Sequence, residues 1–174
     1  MQQTQYLSGN LVHETDAARG QTMIKELVFQ KGWIGKTISR AETVERLNPI
    51  MREHMIVNRS YDAVIHAMPG TETADLLANL QKTARMNVSK LAETVFSCGG
   101  TAYSGTDLDP AAFALPGGVE GLEKLGQLDS DLLDALNDEG AIEHQMRTRA
   151  ILDVLRASTK ERLDALRAEQ KKIR

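Results

Sequence analysis

Apolar residues recur at three- and four-residue intervals through most of the chain, the period of one face of an α-helix. The apolar–polar alternation of a half-buried strand is nearly absent. The pattern predicts an all-α protein. A first helix is expected from about Asp16 to Phe29, capped by Asp16, with Met23, Ile24, Leu27 and Val28 on its apolar face. Gly32 and Gly35 break it around Trp33. Ser39-Arg40-Ala41-Glu42 spells a capping box and predicts a short helix there. Asn48-Pro49 then predicts a fresh start, because proline suits a first helical turn.

Four longer segments follow. The first runs from Pro49 to Met68, with Ile50, Val57, Tyr61, Val64 and Met68 on one face, and Pro69-Gly70 stops it. The second runs from about Thr71 to Cys98 on the stripe Leu77, Leu80, Ala84, Val88, Leu91 and Val95, and Gly99-Gly100 ends it. Residues 99–117, rich in Gly, Ser, Thr, Asp and Pro, predict a long connection of the kind that crosses a fold or carries function. A third helix is expected from Ser130 to Arg156, with room for a short one before it over Val119–Leu125. Its stripe is Leu132, Ala135, Glu139, Ile142, Met146 and Ala150. Ser158-Thr159-Lys160-Glu161, a second capping box, predicts the start of a fourth helix on Leu163, Leu166, Glu169 with Gln170, and Ile173. Short link, long crossing, short link is the connectivity of a four-helix bundle with one long crossover. Residues 1–47 read as an N-terminal extension of short helices, and residues 48–174 as the bundle.

Composition narrows the function classes. A chain of 174 residues, 41% apolar and 26% charged, is large and apolar enough for one ordered domain. A net charge of −3 without a basic stripe argues against a nucleic-acid partner. No run approaches the roughly 18 apolar residues of a membrane span. The polar stretch Met1 to Asn10 lacks the apolar centre of a signal peptide, so a cytoplasmic location is expected. Cys98, the sole cysteine, excludes an intramolecular disulfide and fits a reducing compartment. The Gly99-Gly100 and Gly117-Gly118 pairs have neither a preceding strand nor a following Lys-Ser/Thr, which argues against a phosphate loop.

Candidate chemistry begins with two glutamates, Glu139 and Glu169, which fall on predicted apolar stripes, while Ala84 and Asn87 sit on the facing one. The segment EHMIVNRSYDAVIHAM, Glu53 to Met68, resembles the first bundle helix of bacterioferritins and their rubrerythrin-type, ferritin-like relatives. Asn87-Val88-Ser89-Lys90-Leu91 through Gly99-Gly100 resembles the second, Ala135-Leu136-Asn137-Asp138-Glu139 the third, and Leu166 to Lys172 the fourth. The resemblance spans roughly residues 48–173. It implies a ferritin-like bundle, in which two helices each give a Glu and two each give a Glu-x-x-His to a pair of metal ions. Here that centre would be degenerate. Ala84 and Asn87 stand for the second helix's Glu-x-x-His, and Lys172 for the fourth helix's His. Glu53, Glu139 and Glu169 remain as candidate carboxylate ligands, with His54 or His144 as nitrogen donors. Lys172 supplies a rival cation for Glu169 or Glu139.

Each of these residues also has a structural reading: His54 as a hydrogen-bonded core histidine, Tyr61 as a core ring bonded to a carboxylate, His66 as a helix cap, and Glu143-His144 as a solvent-facing ion pair. The expectation is a non-catalytic binding or structural module without a cofactor, forming a homodimer through the aromatics Phe29 and Trp33. The alternative is a metal-dependent oxidoreductase or metal-binding protein using iron or manganese on the residual carboxylates. A third reading is a small-molecule binder at the bundle centre.

Overall fold

Ser39 caps the start of a helix, as the sequence predicts. Its hydroxyl accepts a hydrogen bond from the Glu42 amide at 3.1 Å. The computed structural model describes residues 37–173. The helix expected over Asp16–Phe29, and the aromatics Phe29 and Trp33, lie outside them. Four helices pack together, with no strand among the described residues: α1 Arg40–His66, α2 Glu72–Ser97, α3 Gly118–Gly140 and α4 Met146–Ile173.

The first helix corrects the sequence reading. It does not stop at Asn48 and restart at Pro49, but runs through Pro49 as one helix of 27 residues. Proline lacks the N–H that the Glu45 carbonyl would accept, so continuity costs a hydrogen bond. Leu47, Ile50 and Met51, all buried, hold the helix to the core on both sides of the break. Asn48, instead of capping, reaches sideways. Its side-chain oxygen accepts from the Tyr103 amide at 2.9 Å, and its amide donates to the Thr101 carbonyl at 3.1 Å.

The second helix ends as expected. Gly99 adopts φ +83°, a left-handed conformation that a side chain would strain. The Gly99 amide donates to the Phe96 carbonyl and the Gly100 amide to the Val95 carbonyl, which satisfies the last turn.

The boundary of the last two helices also differs from expectation. The third helix ends at Gly140, and residues 141–145 form the link. Met146, expected on an inner stripe, is 86% exposed at the start of α4. Ser158 lies within α4 and caps nothing. Its hydroxyl donates back to the Leu155 carbonyl and accepts from the Asn87 side-chain amide.

The helices form a square in which α1 contacts α2 and α3, and α4 contacts α2 and α3. Their ends fix the directions. The Ile38 amide donates to the Glu143 carbonyl, placing the start of α1 against the α3–α4 link. The Gly118 amide approaches the Met68 sulfur at 3.0 Å, placing the start of α3 at the end of α1. Thr73 bonds Glu169, placing the start of α2 at the end of α4. The order is therefore up, down, down, up. The connection over residues 98–117, with a 3-10 turn at Pro110–Ala112, runs the length of the bundle. Leucines dominate the centre, with Leu77, Leu91, Leu122, Leu125, Leu155 and Leu166 all fully buried. Each such side chain contributes about 1.5–3 kcal/mol relative to exposure.

Candidate functional site

Polar residues interrupt the apolar stripes at mid-height on all four helices. His54 and Tyr61 on α1, Asn87 on α2, Asp129 on α3, and Thr159 and Arg162 on α4 are each 2% exposed or less. Their spacing explains it. Asp129 continues the series Leu122, Leu125, Leu132, Leu136 at helical intervals, so its side chain points inward with the leucines. Arg162 occupies the same place among Leu152, Leu155 and Leu166.

The centre of this belt is a buried ion pair. The Arg162 Nε–H donates to both Asp129 oxygens, at 2.8 and 3.0 Å, and Nη2 also donates to Oδ1. The Tyr61 hydroxyl donates to Oδ2 at 2.8 Å, and the guanidinium lies 5.9 Å from the centre of the Tyr61 ring. These donors account for the lone pairs of the carboxylate. Burial opposes the charge on Arg162, but the Asp129 hydrogen bonds and charge outweigh it and hold its pKa above the ordinary arginine value. Burial, then the Asp129 charge, push the Tyr61 phenol well above its usual value. The expectation that Tyr61 is a core ring bonded to a carboxylate is met by Asp129, which lies outside the stripe expected for the third helix.

His54 departs from expectation. It is fully buried, yet neither ring nitrogen has a protein hydrogen-bond partner among the described residues. Burial, then the Arg162 charge, lower its pKa to about 3, so the ring is neutral at physiological pH. Arg162 Nη1, Thr159 Oγ1, Ser60 Oγ, Asn58 Oδ1 and Asn87 Oδ1 also lack a protein partner.

The five candidate ligands do not come together. Glu139 and Glu169 lie at opposite ends of a bundle about 40 Å long. Glu53 lies half-exposed on α1, paired with its neighbour Arg52 at 2.9 Å. Only Glu139 and His144 meet, with His144 Nε2 2.5 Å from Glu139 Oε1. His144 is thus not a solvent-facing partner of Glu143 but fully buried, because the chain turns inward after Gly140. Arg46 Nε donates to both Glu139 oxygens at 2.9 and 3.2 Å, and Thr43 Oγ1 lies 3.4 Å from His144 Nδ1. The order Thr43, His144, Glu139 has the form of a hydrolytic triad. Its hydroxyl, however, is buried and donates to the Ser39 carbonyl at 3.0 Å, and the cluster joins the start of α1 to the end of α3 and the link after it.

At the other end, Glu169 accepts from the Thr73 hydroxyl at 2.8 Å and from Lys172 at 3.1 Å. The Thr73 bond, then the Lys172 bond, hold its carboxyl below the usual range. Lys172 therefore pairs with Glu169, the role weighed for it against a metal. His66 Nδ1 bonds the Asp62 carbonyl at 2.6 Å in the last turn of α1, a capping contact. Among the described residues, no three His, Cys, Asp or Glu side chains are grouped as a metal ion requires. Nor is any described helix long and apolar enough to cross a membrane. No protein-family model matches the chain, and no curated protein matches it significantly.

Proposed function

We propose that this chain is a non-catalytic, ferritin-like bundle module in which a guanidinium stands at mid-bundle in place of metal ions. The observation that carries the reading is Arg162 bound to Asp129 through both carboxylate oxygens at the bundle centre. A ferritin-like di-metal centre draws inward carboxylates from four helices and two histidines. The inward set here, one aspartate engaged by Arg162 and one unpartnered histidine, does not fit two metals. The up-down-down-up order with one long crossover supports the ferritin-like part of the reading.

The test is metal analysis after loading with iron(II), manganese(II) or zinc and desalting. The expected result is metal well below one ion per chain. Stoichiometric metal, lost on Asp129→Asn or His54→Gln substitution, would overturn the reading in favour of a metal-dependent oxidoreductase or metal-binding protein. Association as a homodimer belongs to the same proposal and rests on Phe29 and Trp33 as a clustered aromatic pair in the sequence. Sedimentation equilibrium of the full chain checks it, and a monomer at micromolar concentration would count against it.

A further inference from the structure

A cleft of about 260 Å³ opens between α1, α2 and the start of the crossing connection, away from the buried pair. Met55, Asn58 and Arg59 line it from α1, Arg85 and Val88 from α2, and Ser104 from the connection. The connection can pass this close because residue 105 is a glycine at φ +71°. A Cβ there would lie 2.8 Å from the Met55 sulfur.

The charges in this cleft do not balance. Arg85 donates to Asp62 at 2.8 Å, and the same Asp62 oxygen accepts from Gln81 at 2.7 Å. Arg59 has no carboxylate partner among the described residues, and its guanidinium is held 5.1 Å from the centre of the Phe113 ring. Two arginines against one aspartate leave one positive charge. A guanidinium steadied on an aromatic face keeps its donor fork free for a planar anion. Met55 and Val88 give the same cleft an apolar wall.

We propose that this cleft binds a small organic monocarboxylate, its carboxylate on Arg59 and its apolar body on Met55 and Val88. At about 260 Å³ the cleft lies just below the roughly 300–1,000 Å³ usual for small-molecule sites, which limits it to a short acid. One uncompensated arginine suits a single negative charge better than a dianion. This site does not depend on the metal-free reading of the bundle centre and stands or falls separately.

The test is NMR titration of the full chain with hexanoate, hexanamide and inorganic phosphate, following the Arg59 Nε–H and the Val88 and Met55 methyl signals. Hexanoate is expected to shift all three saturably. Hexanamide, which lacks the charge, is expected to bind about tenfold more weakly or less. Arg59→Gln is expected to lose a similar factor with its melting temperature retained, and Arg59→Lys, which keeps charge without the fork, to fall between. Equal binding of hexanoate and hexanamide would overturn the proposal, as would unchanged affinity in Arg59→Gln or shifts confined to other residues. Phosphate binding tighter than hexanoate would overturn the monocarboxylate assignment, and absence of saturable shifts at millimolar hexanoate would overturn the site.

Discussion

A guanidinium with 1% of its side-chain surface exposed has no water to share its charge, so its carboxylate partner must do so. Removing one partner leaves the other charged and buried. Arg162→Met is therefore expected to lower stability by about 3–5 kcal/mol. The triple variant Tyr61→Phe, Asp129→Leu, Arg162→Met replaces every partner by an apolar group and is expected to recover most of that loss. Urea unfolding midpoints separate the outcomes, and a triple variant as unstable as the single one would refute this account. His54 sets a pH dependence. Its ring ionises near 6.5 when exposed and at about 3 when folded. Across that window the unfolded chain binds more protons, so stability rises with pH and is lost as pH falls below 6.5. The expected slope is on the order of 1 kcal/mol per pH unit between about pH 6 and 4. Glu169, whose folded pKa is lowered, adds loss of the same sign at lower pH. His54→Gln should flatten the slope above pH 5, measured from urea midpoints across a pH series, and an unchanged slope would exclude His54 as its source.

At the scale of elements, local signals predicted helix existence better than helix ends. The Ser39 N-cap and the Gly99-Gly100 stop act as their residue types predict, and the helix expected to start near Thr71 is capped by the Thr71 hydroxyl. Ser158 and Pro49 do not act as predicted, for one reason: packing on either side overrides the local preference, which is weak for serine and about 3 kcal/mol for an interior proline. Leu155 and Leu163 are both buried, so α4 gains by running through Ser158. Pro49 is an exposed interior position of α1, and Pro49→Ala restores an amide to the helix ladder. It is expected to stabilise the protein by about 1–3 kcal/mol in thermal or urea unfolding. No gain would mean that the bundle needs the break at that turn. The third helix starts at Gly118, twelve residues before the expected Ser130. With the third helix started at Ser130, Asp129 fell outside its stripe and went unnoticed, although it continues the spacing of Leu122 and Leu125.

At the scale of the whole molecule, two sets of contacts near one end tie α1 to its neighbours. Asn48 clips the crossing connection to α1 near one end, and Arg46, Glu139 and His144 tie α1 to the end of α3 and the link after it. The arrangement of the helices sends Glu139 and Glu169 to opposite ends and brings Asp129 and Arg162 together. The sequence by itself determined the helical class, the apolar stripes of the first two long helices and the long connection, because periodicity, caps and glycine stops are local properties of neighbouring residues. It also offered Lys172 as a cation for Glu169 or Glu139, and the structure pairs it with Glu169, three residues away on the same helix face. Only the tertiary structure decided which charged groups meet across helices. Partners as distant in the chain as Arg46 and Glu139, or Asp129 and Arg162, are chosen by helix direction and axial offset, and no local pattern encodes either.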